Sequence, residues 1–524
     1  MRSCKTLMVV PLLALIGFAA AGGPTLGDAV KEGNATTVRA LLKQGVDVNA
    51  PEADGTTALH WAARRDDAAI VGLLLDARAN ANAKNRYGMT PLMLAATNGN
   101  VAAIERLLKA GADAKAARPN GETVLMTAAR TGNAAAVKIL LANGADVNAR
   151  ETSRGQTALM WASSQNNAAA VQLLVEAGAD VKARSMPPPS RRGETTVEKK
   201  EADAANVDAY SVGKRDRVDS FTPLLFAVRR GALDVVKVLV DAGADVNDSL
   251  EDGMSALTLA AINAHWELGT YLLDKGADVN ADKQGWTALH QVARTRTLSL
   301  RRLPHPVPTG SLTSFDFAKA LLSHGANVNA RVKKNMKGDQ ERGRFITLGS
   351  TPLVLAAKGF DPDMMRLLLA SGADIKITNV IGTNALMAAA GCDVTYPEED
   401  AGPHEDALAA TMVALEAGID INATNEDGNT ALHGAAFIGA VEVVQYLVDK
   451  GANLQAVNNK GKGWTPLQTA HLDWVGGVNQ TQPSTTALLR KIHEERGLPV
   501  VFRTPDDVIE MQNTWKPAGG GRTQ

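Results

Sequence analysis

Apolar side chains along this 524-residue chain fall into short stripes at helical spacing, two stripes per segment, with glycine closing each pair. Residues 87–119 show the arrangement. Thr90 offers a side-chain cap, and Pro91 follows at the first helical position, where its missing N–H costs nothing. Leu92, Ala95 and Ala96 then form one stripe, which stops at Gly99. Asn100 can cap a second helix carrying Ile104, Leu107 and Leu108, and Gly111 supplies the left-handed residue that ends it. Ala112-Asp113 leads into an extended segment and the next turn. Helices of about two turns are unstable alone, so these must stack on neighbours.

The same segment recurs along the chain. Thr-x-Leu, or a near variant, starts at Thr57, Thr90, Thr123, Thr157, Thr222, Ser255, Thr287, Thr351, Asn384, Thr430 and Thr465. The base spacing is 33, with extra residues at three places. Gly-Ala-Asp or a relative keeps the same beat at Gly111, Gly144, Gly178, Gly243, Gly276, Gly325, Gly372, Gly418 and Gly451. A fixed period of this length predicts a solenoid of stacked units.

Gly55-Thr56-Thr57-Ala58-Leu59-His60-Trp61-Ala62-Ala63 and Gly88-Met89-Thr90-Pro91-Leu92-Met93-Leu94-Ala95-Ala96 resemble the ankyrin signature G-x-T-P-L-H-x-A-A. Eleven such copies follow a degenerate opening unit at 24–53, and the resemblance extends over 24–499. It implies an all-α solenoid of about twelve helix–turn–helix units joined by β-hairpin-like fingers. Some copies depart from the pattern: Arg78 replaces the terminal glycine, and no glycine precedes Phe221. The last unit has Gln468 and an irregular second helix, as a terminal cap would. Residues 500–524, with Gly519-Gly520-Gly521, read as a largely disordered tail.

Composition fits this picture and narrows it. Aromatics are only 4%, so the core is built of Ala, Leu and Val. Lys+Arg 55 against Asp+Glu 56 excludes a generally basic nucleic-acid binder. Residues 1–23 carry Arg2 and Lys5, an apolar run from Leu7 to Phe18, and Ala19-Ala20-Ala21. That is the pattern of a signal peptide cleaved after Ala21, and the run is shorter than the ~20 residues that span a bilayer. Cleavage would leave Cys392 as the one thiol, with no internal disulfide available.

Four insertions interrupt the period. Residues 186–220 and 331–349 lengthen fingers, whereas 295–313 and 391–407 separate the two helices of their units. Within 331–344, six basic residues (Arg331, Lys333, Lys334, Lys337, Arg342 and Arg344) oppose two acids. Arg294, Arg296, Arg301 and Arg302 form a second basic cluster, while Glu398, Glu399, Asp400, Glu405 and Asp406 make the last insertion acidic. Segment 186–220, with its Pro187-Pro188-Pro189, is expected to be mobile. Such insertions either bind or drift neutrally in exposed loops.

The ankyrin resemblance implies ligand contacts at the fingertips and along the concave face of the first helices. On this chain it points to Trp286 and Trp464 at finger tips, with Tyr87 and Phe221 at neighbouring ones, all as exposed anchors; packing on the adjacent finger is the competing reading. Trp61 and Trp161 occupy a slot filled elsewhere by Leu94 and Leu355 and are expected in the core. The two positions after the Ala-Ala pair include Arg64, Arg65, Arg130, Arg229, Arg230, Arg294 and Lys358 against one acid, Asp473. Helix ends favour cations by 0.3–1 kcal/mol, but that does not account for the paired Arg64-Arg65 and Arg229-Arg230. The stripe, with Lys333, Lys334 and Lys337 of the basic finger, points to an acidic protein surface or an anionic polymer.

No chemistry is legible. His60, His290 and His433 share one slot of the repeat and read as structural. There is no H-E-x-x-H, C-x-x-C, G-x-S-x-G, Walker loop or dinucleotide fingerprint, and no cofactor is expected. Cys392 with His404 is the sole imaginable nucleophile–base pair, in an irregular loop. One carboxylate per Gly-Ala-Asp-Val-Asn turn does not make a calcium site. The reading is an exported, monomeric, non-enzymatic scaffold for a protein partner, with no nucleic acid and no membrane span in the mature chain. The periplasm is expected first and the extracellular medium second. The alternative is a binder of an anionic cell-envelope polymer.

Overall fold

A computed structural model describes residues 25–502 apart from 187–219, 297–306, 335–346, 393, 395–403, 460–462, 472 and 476–477. The expected signal peptide, most of all four insertions (with Lys337, Arg301 and Arg302) and the tail from 503 therefore lie outside the described residues. The chain divides after Asp146 into two compact units. Each is built from antiparallel helix pairs, here called repeats 1 to 12 in chain order.

Unit one holds repeats 1–4: α1 (Leu26–Lys31) with α2 (Ala35–Lys43), α3 (Ala58–Arg64) with α4 (Ala68–Asp76), α5 (Pro91–Asn98) with α6 (Val101–Lys109), and α7 (Val124–Thr131) with α8 (Ala134–Ala142). Unit two holds repeats 5–12. Repeats 5–8 are α9 (Ala158–Ser164) with α10 (Ala168–Glu176), α11 (Pro223–Arg230) with α12 (Leu233–Asp241), α13 (Ala256–Ile262) with α14 (Trp266–Asp274), and α15 (Ala288–Thr295) with α16 (Ser314–Ser323). Repeats 9–12 are α17 (Pro352–Lys358) with α18 (Pro362–Ala370), α19 (Ala385–Ala389) with α20 (His404–Glu416), α21 (Ala431–Ile438) with α22 (Val441–Asp449), and α23 (Pro466–His471) with α24 (Pro483–Glu495). Within each unit first helices stack on first helices and, apart from α16 and α18, second on second; α9 meets α11 directly despite the 35-residue insertion expected between them.

The local reasons are those of the sequence. Thr90 caps α5, accepting the Met93 N–H at 3.2 Å, and Asn100 caps α6, accepting that of Ala103 at 2.8 Å. Gly99 and Gly111 adopt φ of 72° and 85°. Arg78 takes the same left-handed conformation at φ 65°, although its Cβ makes that costly. Leu59, Leu92 and Leu125 of the first helices and Ile70, Ile104 and Val137 of the second are fully buried and form the thin core of unit one.

A ladder of asparagines joins successive turns. Asn82 accepts the Asp113 N–H at 2.8 Å and donates to the Gly111 carbonyl at 2.8 Å, satisfying an acceptor that the end of α6 leaves open. Asn280 does the same across the inserted repeat 8, to the Asn327 N–H at 2.7 Å and the Gly325 carbonyl at 3.0 Å. Asp113 accepts from the Lys115 N–H at 2.8 Å within its own turn. The recurrence of Asp and Asn in these turns thus reflects structural hydrogen bonding.

Among the described residues the fingers carry isolated antiparallel bridges, Ala117 to Thr123 and Ser249 to Ser255. One feature differs from the sequence reading. The irregularity of the last unit lies between its helices, where β1 (Asp473–Val475) pairs antiparallel with β2 (Val478–Gln480); α24 itself runs 13 residues without a break. No described helix is long and apolar enough to cross a membrane.

Candidate interaction surface

The first helices end in the expected basic residues, and the structure sets each on a different footing. In unit one Arg64 is exposed and lies 5.4 Å over the Trp61 ring. Trp61 is only half-buried, as is Trp161, so neither belongs to the core. The Trp61 indole donates to Glu52 at 2.9 Å, and Glu52 also pairs with Lys31 at 2.8 Å. Arg65, although exposed, donates to the Lys31 carbonyl of the preceding repeat and packs against Gly33. Arg130 is exposed at the last turn of α7.

In unit two the arginines and the aromatics, read separately from sequence, turn out to be partners. Arg229 is half-buried, 4.8 Å over Phe221 and 5.6 Å over Phe226, while Arg230 is exposed. Arg294 is half-buried, 5.6 Å over Trp286. A guanidinium over an aromatic face gains cation–π attraction and is held in place by it. The spacing of three residues from Trp61 to Arg64 and from Phe226 to Arg229 was a legible helical signal.

The fingertip expectation requires correction. Trp286 is 2% exposed, Trp464 3% and Phe221 4%. The Trp286 indole donates to the Lys334 carbonyl at 2.9 Å, because the finger that opens the 331–349 insertion folds over it. Trp464 is fixed by its amide, which donates to Asn458 at 3.1 Å, and by its carbonyl, which accepts from His433 at 2.8 Å. Phe221 stacks on Phe226 at 5.0 Å. Tyr87 alone of these four is exposed, at 51%, with Arg86 lying 4.7 Å over its ring.

The basic finger is partly committed to structure. Arg331 donates to the carbonyls of Gly349 at 3.1 Å and Thr378 at 2.9 Å. Lys333 pairs with Asp282 at 2.5 Å, and Lys334 is exposed. Arg296 donates to Asp361 at 2.6 Å and so leaves the second cluster.

The three repeated histidines are structural as expected. Nδ1 of His60, His290 and His433 accepts the N–H of Thr57, Thr287 and Thr430 at 3.1, 3.1 and 3.2 Å. Nε2 donates to the next finger, at the carbonyls of Met89 (3.0 Å), Ala330 (2.9 Å) and Trp464 (2.8 Å). Burial lowers the pKa of His60 and brings that of His290 to about 4. Both bonds require the neutral ring. Cys392 is buried, its thiol donating to the Thr430 carbonyl at 3.2 Å, and the His404 side chain lies outside the described residues. Among the described residues no group of three or more His, Cys, Asp or Glu could hold a metal ion.

Helix pairs, caps, bridging histidines and turn ladder define a helical repeat solenoid. Family profiles agree: ankyrin repeats (3 copies) match at 26–117, 105–185 and 224–332, ankyrin repeats (many copies) at 402–448, and a single ankyrin repeat at 348–380. The chain belongs to the ankyrin-repeat family. It is 38% identical over 251 residues to human ankyrin repeat and SOCS box protein 16, with 47% of each chain covered. It is 32% identical over 184 residues to the probable E3 ubiquitin-protein ligase XBOS33 of Oryza sativa subsp. japonica, covering 32% of this chain and 35% of that one. Identity to the phosphocholine transferase AnkX of Legionella pneumophila is 24% over 224 residues, 41% of this chain and 21% of that protein. The chain thus spans about half or less of the length of these curated relatives. Ankyrin repeats suggest a scaffold for protein–protein interaction.

Proposed function

We propose that this protein is a non-enzymatic interaction scaffold, exported to the periplasm or beyond, that docks an acidic surface of a protein partner along the ends of its first helices. The observation that carries this reading is the stacked arginine set. Arg64 is exposed over Trp61, and Arg230 is exposed beside Arg229, which itself lies over Phe221 and Phe226. An aromatic-backed guanidinium loses little freedom on meeting a carboxylate, which favours recognition of acidic groups. Tyr87 supplies an exposed aromatic anchor at a finger of unit one. Signal-peptide pattern at 1–23 supports export. The alternative, an anionic envelope polymer, draws on Lys334 and Lys337; with Arg331 and Lys333 engaged within the fingers, it has fewer cations at its disposal. The test is charge reversal at Arg64 and Arg230 in the full chain, followed by pull-down from the native envelope across a salt series. Loss of a stoichiometric protein partner supports the proposal. Unchanged retention at every salt concentration contradicts it, and retention of polymer released by salt favours the alternative.

A further inference from the structure

Where a first helix turns into its second, the chain passes through the left-handed region, and glycine serves there at Gly99, Gly132, Gly231 and Gly439. Asp66 and Asn166 take the same place in repeats 2 and 5, at φ 65° and 60°, and their short polar side chains tolerate it. Two repeats break this rule. Ala264 in repeat 7 has φ 59° and Phe360 in repeat 9 has φ 53°. A bulky phenylalanine in this region is a backbone outlier that persists only where its surroundings dictate it.

Both outliers flank repeat 8, and both stand where its insertion makes contact. The leading end of the insertion reaches repeat 9. Arg296 donates from Nε to Asp361 at 2.6 Å, and Asp361, 2% exposed, follows Phe360 and caps α18 by accepting the Met364 N–H at 3.1 Å. The Arg296 guanidinium also rests 5.0 Å over Phe315. The trailing end reaches repeat 7. Thr309 donates its N–H to the Ala264 carbonyl at 3.4 Å, and its hydroxyl meets Nδ1 of His265 at 3.0 Å. Nε2 of His265 donates to the Arg229 carbonyl of repeat 6 at 3.2 Å. Ser311 donates from N and Oγ to Glu267 at 2.6 and 2.7 Å, holding that carboxyl below the usual range.

We propose that the two ends of the repeat 8 insertion act as a strap that clamps the strained junctions of repeats 7 and 9, coupling three consecutive repeats into one cooperative block. Repeat arrays otherwise hold together through the stacking of one unit on the next. The strap adds polar anchors at both interfaces of repeat 8, and it stands whether or not the ends of the first helices bind a partner.

The test is native-state hydrogen exchange on the full chain, comparing Thr309→Ala/Ser311→Ala and Arg296→Gln with the parent. The first variant is expected to speed exchange about tenfold across 256–274, and the second across 352–370, while 431–449 keeps its protection. Unchanged protection at both junctions would overturn the proposal, and so would an equal loss at 431–449. Should Arg296→Gln unfold by stranding Asp361, the serine–threonine variant, which leaves Asp361 and the cap of α18 untouched, decides alone.

Discussion

Unit one and repeats 6–9 of unit two are made of the same motif and use it differently. Unit one is close to strict repetition: its helix junctions close with Gly33, Asp66, Gly99 and Gly132, and its one aromatic fingertip, Tyr87, stays exposed. Repeats 6–9 carry insertions at both ends of the motif. There the fingertip aromatics Phe221 and Trp286 are buried, and the junctions at Ala264 and Phe360 are strained. The difference teaches that the insertions within and after repeat 8 recruit residues of the neighbouring repeats. The finger at 331–334 buries Trp286, and the loop ending at Thr313 holds repeat 7.

The largest expected effect sets Trp286 against Tyr87. Trp286→Ala should destabilise by about 3–5 kcal/mol, from lost burial and a stranded Lys334 carbonyl, whereas Tyr87→Ala should stay within about 0.5 kcal/mol. Urea titration of the two variants checks this; equal losses would erase the distinction. Next come the histidines. His290 binds its proton in the folded state only near pH 4, but in the unfolded chain near 6.5. Its contribution is complete above about 6.5 and is lost as pH falls toward 4, on the order of 3 kcal/mol. His60, lowered in the same direction, adds to the loss in unit one. Denaturant midpoints from pH 7 to 4 should fall, and His290→Gln should flatten part of that fall.

A smaller effect compares the ladder across a plain repeat and across an inserted one. Asn82→Ala and Asn280→Ala should each cost about 1–2 kcal/mol by thermal or urea unfolding, because both side chains make the same two bonds. A much larger loss at Asn280 would mean that the inserted repeat leans harder on its turn. Smallest is Arg78→Gly, which should stabilise unit one by about 1 kcal/mol by removing a left-handed non-glycine residue.

The repeat was legible because its caps and terminators act locally. Thr90, Asn100 and Gly111 do in the structure what their residue types dictate. Fingertip exposure was not, because whether Trp286 is covered depends on Lys334, which is 48 residues away and beyond an entire helix pair. Nor was the commitment of Arg65, Arg296 and Arg331, since each donates to a neighbouring repeat. The pairing of β1 with β2 did leave a signal in the sequence: Gly476-Gly477, between Trp474-Val475 and Val478, is a dipeptide that favours a two-residue hairpin turn. The long period of the array masked it.

Site-specific photo-cross-linking in the native host tests the interaction surface most directly, with the probe placed in turn at Arg64, Arg230 and, on the outer face of α18, the exposed Arg366. The account predicts adducts with one and the same protein partner from positions 64 and 230, weakened by added salt, and none from 366. Adducts from position 366 alone, or equal adducts from all three, would contradict it.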